Sequence, residues 1–319
     1  MVRASVVICT HNRASIVGRA IAGALAEARP LGAEVIVVDN ASTDDTPQVL
    51  ASLATQAGDT LRIVAEAQVG LSAARNRGLA GARGEVAVFL DDDAVPHPGW
   101  LAALLRPYDA PAVACTGGPI HVHFPTPPPA WVTARFHPTL GALDLGAAPR
   151  RLAQRPGEVS PSGGNITFRA DVARRLGGFS VLMGRAGERH LLHEEADLCQ
   201  RVVRDGGEIW WVPDALVDHW VLPERLDPRW FLNRFAEGGR SAATCALRNR
   251  GLLRALWGVR WYGPYLAVRP YAPTEPIDPE RLLAECQRRE ALGYLASLVR
   301  GIPHIAELRR DMAPAPVGA

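Results

Sequence analysis

Short apolar segments alternate with longer, more polar segments through the first hundred residues of this 319-residue chain. The apolar segments are rich in β-branched residues, which is typical of strands buried on both faces of a parallel sheet. They span residues 5–9, 34–38, 61–65 and 86–90. The segments between them predict helices at residues 14–28, 45–56 and 71–82. This alternation predicts an α/β fold with a doubly wound, mostly parallel sheet and helices on both faces.

The second half of the chain is less regular. It predicts short strands at residues 166–168, 208–212 and 215–217, helices at residues 171–176 and 195–203, and a loop over residues 150–162. From Pro228 onward the pattern is mainly helical. We therefore expect one domain over residues 1–225, made of two halves (about 1–118 and 119–225), and a helical C-terminal extension over residues 226–319.

Polar side chains follow three of the predicted strands at the point where each strand ends. Thr10, Asn12 and Arg13 follow the first strand, Asp39 ends the second, and three aspartates follow the fourth. Ligands of doubly wound sheets bind at the carboxyl ends of the strands. Three such ends with polar clusters indicate a binding site more strongly than any one of them.

The first two clusters each have a second, structural interpretation. The hydroxyl, amide and guanidinium of Thr10, Asn12 and Arg13 can bind a nucleotide, or they can cap the following helix. Asp39 can accept hydrogen bonds from a base or ribose, or it can close a turn with Ser42. Taken alone, these residues leave both interpretations open.

The most informative stretch is the apolar run over residues 86–90 and the aspartates Asp91, Asp92 and Asp93 that follow it. Carboxylates at the end of a buried strand are costly unless positive charge offsets them, and a divalent cation that bridges to a diphosphate is a common solution. Because side chains alternate along an extended chain, we expect Asp91 and Asp93 to face one ligand and Asp92 to face the other way. An acidic turn without a ligand is the alternative.

Two helical segments carry further candidates. Arg75 and Asn76 lie on the third predicted helix, where Arg75 can hold a phosphate or a base, or can be an ordinary solvated arginine. Glu194, Glu195 and Asp197 begin a later helix, where carboxylates can favour the helix N-terminus or supply a general base. Glu195 and Asp197 cannot share a helix face, so at most one of these two is expected to be the base.

Three histidines are candidate metal ligands. His219 follows a predicted strand and can be a neutral imidazole ligand, although a lone histidine is more often structural. His121 and His123 alternate in an extended segment and are weaker candidates, because the neighbouring proline-rich loop offers no third ligand.

Composition narrows the functional classes. The formal net charge is +2, with no basic stripe, so nucleic-acid binding is not expected. The five cysteines include no CxxC pair, which disfavours a zinc site or a disulfide framework and fits a reducing cytoplasm. The chain enters a strand at once and has no apolar run of membrane-spanning length. It also lacks P-loop, GxGxxG and GxSxG motifs, which disfavours kinases, Rossmann dehydrogenases and α/β-hydrolases.

Taken in order, these segments resemble the inverting glycosyltransferases of family 2, which have the GT-A fold. The matching stretches are SVVICTHNR (5–13), VIVVDNASTDDT (35–46), GLSAARNRGL (70–79), GEVAVFLDDDAVP (84–96), GGNITFRADVARRLGGF (163–179), HEEADLCQRVVRDGG (193–207) and WWVPDALVDHWVLPER (210–225). The resemblance covers about residues 1–240. It implies a Rossmann-like GT-A domain whose first half binds the nucleotide and whose second half binds the acceptor.

The resemblance also implies a role for each candidate. The residues implied in nucleotide-sugar binding are Thr10, Asn12, Arg13, Asp39, Arg75, Asn76, Asp91 and Asp92. The residues implied in holding a divalent cation, Mg²⁺ or Mn²⁺, are the DXD pair Asp91 and Asp93 together with His219, with Asp93 the more direct ligand. The sugar and acceptor pocket is implied to include Gly163, Gly164, Asn165 and Asp197. Glu195 stands where many members have the Asp of a Glu-Asp pair and is the implied catalytic base, with Glu194 as its competitor.

The implied reaction is a metal-assisted single displacement by a hexosyltransferase, with inversion at the anomeric carbon. The donor would be a UDP-, GDP- or dTDP-sugar, and the acceptor a glycan, a lipid-linked molecule or a small molecule. A sugar nucleotidyltransferase is the first alternative, although THNRAS after the first strand lacks the glycines that such enzymes use. The second alternative is a catalytically idle nucleotide-sugar-binding protein, which the complete carboxylate set disfavours.

The C-terminal extension has two interpretations. Arginine and aromatic residues interleave over residues 254–265, a mixture that suits a membrane interface. Alternatively, the extension packs on the catalytic domain and contributes a lid or a homodimer contact, which is the interpretation we favour. We expect a cytoplasmic protein, with peripheral contact at the inner face of the membrane if the first interpretation holds.

Overall fold

The computed structural model describes residues 2–153, 158–186, 189–274 and 276–309. Its first elements are β1 (Ala4–Thr10), α1 (Val17–Ala28), β2 (Glu34–Asp39), α2 (Thr46–Ala57), β3 (Leu61–Ala65), α3 (Leu71–Gly81), β4 (Val86–Asp91), β5 (Ala94–Pro96) and α4 (Trp100–Leu105). There follow β6 (Val113–Gly117), β7 (Ile120–His123), β8 (Arg150–Leu152), β9 (Asn165–Arg169), α5 (Ala170–Arg175), β10 (Arg185–Ala186), β11 (Arg189–His190), α6 (Glu194–Arg204), β12 (Glu208–Trp211) and β13 (Val217–Trp220). The C-terminal helices are α7 (Pro228–Arg250), α8 (Leu252–Tyr262), α9 (Pro279–Gly301) and α10 (Ile305–Leu308).

The main sheet has the strand order β3-β2-β1-β4-β9-β6-β12-β8. Strands β3, β2, β1 and β4 are parallel to one another, whereas β9 is antiparallel to both of its neighbours. Alternate residues of β1 enter different cores: Val6 and Ile8 pack with α1 and α4, and Val7 packs with α3, α5 and α6. The predicted doubly wound, mostly parallel α/β fold is therefore confirmed.

A smaller sheet places a second set of chain segments beside the end of β4. In it, β13 pairs with β5 in the antiparallel sense and with β7 in the parallel sense. The strand predicted at residues 215–217 is therefore wrong in position, because β13 begins only at Val217 and includes Asp218 and His219. The loop predicted at residues 150–162 begins with strand β8, which pairs with β12, and residues 154–157 of that loop lie outside the described residues.

The C-terminal extension is mainly helical, as predicted, through residue 309. Helices α7 and α9 cross where Gly239 meets Gly293, and a β-carbon at either position would collide with the backbone of the other helix. The absence of side chains at this crossing lets the two helices approach closely. Helix α8 packs against both of them around Tyr294. Within the described residues, no helix combines the length and apolarity that crossing a membrane requires.

Candidate active site

A cleft of about 510 Å³ opens at the carboxyl ends of β1 and β4. It is lined from β1 by Cys9 and Thr10 and from the end of β4 by all three aspartates. Helix α3, the loop before β9, the start of α6 and the start of α7 form further parts of its walls. Segments that are far apart in the sequence therefore converge on one site, as the strand-end pattern predicted.

The three aspartates each have a different partner. The chain turns after Asp91, so the strict alternation expected for an extended segment is wrong. Asp91 accepts a hydrogen bond from Arg75 at 3.2 Å, and its side chain is 39% exposed. Asp92 accepts a hydrogen bond from the hydroxyl of Thr10 at 2.7 Å. Burial and the neighbouring Asp93 carboxylate raise the pKa of Asp92 to about 7.

Asp93 lies in a buried cluster of charges. Its Oδ1 atom is 3.1 Å from Nε2 of His219, and its Oδ2 atom accepts a hydrogen bond from Arg225 at 2.8 Å. Burial alone would raise the pKa of Asp93, but His219 and Arg225 hold it below its usual range. Arg225 is not among the site residues predicted from the sequence, although it is the last residue of the stretch 210–225 that resembles the family.

The donor set at Asp93 fits a divalent cation that substrate helps to hold. Among the described residues, no group of three or more His, Cys, Asp or Glu side chains has the spacing of a closed metal site. Asp93 and His219 nevertheless present an oxygen and a nitrogen 3.1 Å apart, and Nδ1 of His219 is buried and has no hydrogen-bond partner in the described part of the chain. Mg²⁺ sites commonly use one or two protein ligands together with substrate phosphates and water.

Arg75 connects the aspartate triplet to α6. Its guanidinium is almost fully buried and donates hydrogen bonds to Glu194 at 2.5 Å, to Asp91 and to the carbonyl oxygen of Gly163 at 3.0 Å. Burial opposes its charge, but Glu194 and Asp91 raise the pKa of Arg75 above its usual range. The interpretation of Arg75 as an ordinary solvated arginine is therefore wrong.

Gly163 and Gly164 are needed for this arrangement. A β-carbon at Gly163 would lie 2.5 Å from Nη2 of Arg75, and one at Gly164 would lie 2.7 Å from Oδ2 of Asp91. Any side chain at these positions would displace the arginine or the aspartate. Both glycines line the cleft, together with Ser162.

Of the three predicted site residues at and after the end of β1, two line the cleft and one supports a neighbouring loop. Thr10 and Arg13 line the cleft, and the positive charge of Arg13 acts on Asp92 and Asp93. Asn12 is exposed and accepts a hydrogen bond from the backbone of Thr43 at 2.7 Å, so it shapes the neighbouring loop instead.

Asp39 closes a turn with Ser42, which is one of the two roles that the sequence left open for it. One of its carboxylate oxygens accepts a hydrogen bond from the amide of Ser42 at 3.1 Å. Its neighbour Asn40, which was not among the predicted site residues, lines the cleft. The side chain of Asn40 accepts a hydrogen bond from the amide of Gly70 and donates one to the carbonyl oxygen of Gln68, at 2.8 Å each. The position of Asn40, directly after the strand that ends in Asp39, is the sequence signal that could have indicated its place in the cleft.

The two glutamates at the start of α6 occupy different environments. Glu194 is buried and paired with Arg75. Glu195 is only partly buried, lines the cleft, and has no ion-pair partner among the described residues. Burial and the negative charge of Glu194 raise the pKa of Glu195 to about 7.

Several predicted site residues lie outside the cleft. Asn76 bonds the backbone of Phe179 through both amide atoms at 2.7 Å, and Asn165 is fully buried among the carbonyl oxygens of Pro119 and Ala215 and the indole of Trp100. The structure thus gives both asparagines internal partners and does not bring them into the site.

Asp197 is also absent from the cleft lining, contrary to the pocket role expected for it. It is fully buried, with Arg201 and Arg248 on its two carboxylate oxygens at 2.8 Å and 2.6 Å and with Asn249 at 2.7 Å. It therefore ties α6 to α7.

Residues that the sequence did not indicate complete the cleft. Gly141 lies against the imidazole of His219, and Trp230 and Arg234 reach the cleft from the first turns of α7. His121 and His123 do not line it. Residues 118–130 contribute nothing to the lining, whereas the segment 150–162 contributes Ser162 from its described part.

Solved glycosyltransferases share this fold. A mannosyltransferase from Pyrobaculum calidifontis, solved with GDP-Man and Mn²⁺, superposes with a TM-score of 0.56 over 96% of this chain and 78% of its own, at 22% identity. GalNAc-T7, solved with UDP, GalNAc and Mn²⁺, gives a TM-score of 0.59 over 95% of this chain and 58% of its own, at 16% identity. These likenesses establish the GT-A fold.

Curated relatives are glycosyltransferases as well. A glucosyl-dolichyl phosphate glucuronosyltransferase from Haloferax volcanii is 27% identical over 240 residues, which is 73% of this chain and 74% of that protein. A pre-mycofactocin glycosyltransferase from Mycobacterium tuberculosis is 33% identical over 187 residues, which is 56% of this chain and 36% of that protein. Residues 5–177, more than half of the chain, match the sequence family described as Glycosyl transferase family 2. The chain therefore belongs to glycosyl transferase family 2.

Proposed function

We propose that the protein is an inverting, metal-assisted hexosyltransferase that moves a sugar from a nucleotide-sugar to an acceptor hydroxyl. The observation that carries this proposal is the arrangement of charge in one cleft. Asp93 forms a charged cluster with His219 and Arg225. Asp91, which pairs with Arg75, lines the same cleft, and these groups suit a diphosphate and its cation. The carboxylate of Glu195 also lines the cleft, at the start of α6. Leaving-group binding and a base are the two requirements of a displacement at the anomeric carbon.

Glu195 is the catalytic base in this proposal. The pKa of about 7 means that its carboxylate can take up a proton near neutral pH, which is where a general base is most effective. Glu194 is a poorer base because Arg75 holds it as an ion pair. Its proposed role is to position Arg75 and, through Arg75, Asp91.

The donor would bind across the ends of β1, β2 and β4. The proposed contacts to the nucleotide are Thr10 and Arg13, which line the cleft, and Asp39, which precedes the cleft residue Asn40. The guanidinium of Arg225 is a further proposed contact to the diphosphate, after this guanidinium leaves Asp93. The proteins of similar fold were solved with GDP-Man or with UDP and GalNAc, so a UDP-, GDP- or dTDP-sugar is proposed here.

In the proposed reaction, the acceptor oxygen attacks the anomeric carbon while the bond from that carbon to the diphosphate oxygen breaks. The acceptor proton moves to Glu195, and the electron pair of the broken bond leaves with the nucleoside diphosphate. A divalent cation held by Asp91, Asp93 and His219 would neutralise the negative charge that develops on this leaving group. Attack from the face opposite the diphosphate inverts the anomeric configuration.

The acceptor would enter beside the loop that carries Ser162, Gly163 and Gly164, next to Glu195. We propose a lipid-linked glycan as the first acceptor to test, because the Haloferax relative acts on a glucosyl-dolichyl phosphate by name. The proposed location is cytoplasmic, at the inner face of a membrane.

A thermal-shift screen of nucleoside diphosphates and their sugars, with and without Mn²⁺, tests donor binding. A ligand that binds only the native state raises its melting temperature by mass action. We expect one nucleotide to raise the melting temperature only when Mn²⁺ is present. No shift with any nucleotide would contradict the proposal.

Glu195→Gln tests the chemistry. This variant should keep the nucleotide-dependent thermal shift but lose at least about 100-fold in sugar transfer or in slow donor hydrolysis, since a positioned base contributes about 100- to 10,000-fold. Glu85→Gln, which changes an exposed glutamate far from the cleft, is the control. Full turnover in Glu195→Gln would remove its role as base, and binding without any turnover by the wild-type protein would indicate an idle nucleotide-sugar-binding protein.

A further inference from the structure

Helix α8 has one face that completes the fold. Leu252, Val259 and Tyr262 pack on the apolar cluster of α7 and α9, and Ala255 is its only fully buried residue. Tyr262 stacks on Tyr294 with ring centroids 4.4 Å apart. This face accounts for the attachment of α8 to its neighbours.

The opposite face is large, apolar and exposed. Leu253 is 82% exposed, Leu256 45%, Trp257 49% and Trp261 63%. The spacing of these residues (i, i+3, i+4, i+8) places them on one side of the helix. Their side chains add nothing to the core, and contiguous exposed apolar side chains of this size mark interaction surfaces. We call Leu253, Leu256, Trp257, Arg260 and Trp261 the α8 face.

The charge of this region has one sign. Residues 249–274 contain Arg250, Arg254, Arg260 and Arg269 and no acidic residue. Arg254 and Arg260 are exposed and have no ion-pair partner among the described residues. The guanidinium of Arg260 lies over the ring of Trp257, 3.2 Å from its centroid, and 4.6 Å from the centroid of Trp261. The surface thus combines indole rings with unpaired cations.

We infer that the α8 face binds the surface of an anionic lipid bilayer. Indole rings and leucines insert at the boundary between headgroups and acyl chains, while arginines meet lipid phosphates. A helix of 11 residues, about 16 Å long, can lie in that boundary but cannot span a bilayer. This inference is independent of the proposed chemistry in the cleft.

A second copy of the chain fits the α8 face less well than an anionic bilayer does. In a two-fold symmetric dimer the same patch meets itself, so Arg254 and Arg260 of both copies would come together. Without acidic partners in the region, their like charges would repel across the interface. An anionic surface instead offers each arginine a phosphate.

Vesicle co-sedimentation of the full chain tests the inference. The vesicles contain phosphatidylcholine alone or phosphatidylcholine and phosphatidylglycerol in equal amounts. We expect wild-type protein to sediment with the anionic vesicles, and high salt to weaken this binding. Leu253→Ala and the pair Trp257→Ala with Trp261→Ala should lower the partition coefficient, whereas Leu31→Ala, at an exposed leucine in the other half of the protein, should not.

A charge series isolates the role of the arginines. Arg254→Gln and Arg260→Gln should each lower binding to anionic vesicles about fivefold. The matched pair Arg29→Gln and Arg83→Gln, at exposed arginines outside the extension, should leave it unchanged. Because the substituted side chains are exposed, we expect unchanged melting temperatures and nucleotide-induced shifts.

Three outcomes would overturn the inference. One is equal sedimentation with neutral and anionic vesicles, and the second is undiminished binding by the tryptophan variant. The third is a dimer in sedimentation velocity that the tryptophan variant abolishes, with no binding to vesicles, which would make a second copy the occupant. None of these outcomes depends on donor binding or turnover in the cleft.

Discussion

At the scale of single residues, the cleft carboxylates differ mainly in which cation stands beside them. Glu194 pairs with Arg75 and Asp93 with Arg225, whereas at Glu195 burial and the like charge of Glu194 raise the pKa more than the positive charge of Arg75 lowers it. Environment therefore separates two adjacent glutamates into a charged positioning group and a group that titrates near neutrality.

The raised pKa of Glu195 predicts the pH dependence of activity. A base must be deprotonated to act, so kcat/KM should be low below pH 7 and rise as the pH increases through about 7. Glu194→Gln removes the neighbouring negative charge, so the rise should move to lower pH even if the maximal rate falls. The measurement is the pH dependence of kcat/KM for the wild type and for Glu194→Gln. If the rise in kcat/KM occurs at the same pH in both proteins, a group other than Glu195 titrates.

Arg225 predicts a competition between an internal cation and an added one. Arg225→Gln removes the guanidinium that bonds the buried Asp93 and leaves His219 and the charge of Arg13 to offset this carboxylate, so the variant should melt at a lower temperature. Mn²⁺ should then raise the melting temperature more in this variant than in the wild type, because the ion no longer displaces a guanidinium. Arg106→Gln breaks an exposed pair with Asp214 and is the control. Equal Mn²⁺ effects in both proteins would contradict binding at Asp93.

At the scale of elements, the join between α6 and α7 determines where the base lies. Asp197 is two residues after Glu195, so on a helix it points about 200° away from it. One side of α6 therefore presents Glu195 to the cleft while the other binds Arg201 of α6 and Arg248 of α7.

Removing this join should be costly. Asp197→Ala leaves two buried guanidiniums without their carboxylate, and we expect a loss of about 3–5 kcal/mol in the free energy of unfolding. Asp205→Ala, which breaks an exposed pair with Arg175, should change it little. Urea denaturation of the two variants gives the comparison, and similar losses would show that the buried pairs contribute nothing special.

At the scale of the whole molecule, the parallel strands were predictable and their distant partners were not. The apolar runs before Asp39 and Asp91 predict both the strands and the edge where they end, because burial on both faces leaves a continuous pattern. Arg225 is 134 residues beyond Asp91 in the numbering and follows a strand whose position the pattern misjudged. Its approach to Asp93 depends on the smaller sheet, which pairs β5 with β13 and has no signature in either segment alone.

The same limit explains why two residues predicted for the pocket do not line the cleft. Asn165 and Asp197 are polar and lie close to cleft residues in the sequence. Periodicity shows which residues share an element, but it does not show which distant groups those residues contact once they are buried. Groups far away in the chain bind both side chains: Asn165 donates hydrogen bonds to the carbonyl oxygens of Pro119 and Ala215, and Asp197 pairs with the guanidinium of Arg248.

The tyrosine stack between α8 and α9 connects the helix that carries the α8 face to the helices of the extension. The backbone of Tyr294 lies directly against Gly239 of α7, and the ring of Tyr294 stacks on Tyr262 of α8. Arg234, at the rim of the cleft, is five residues from Gly239 along α7, a rise of about 8 Å. Helix α7 therefore runs without a break from the wall of the cleft to the cluster on which α8 packs. A bilayer bound at the α8 face would for this reason fix the orientation of the cleft relative to the membrane surface.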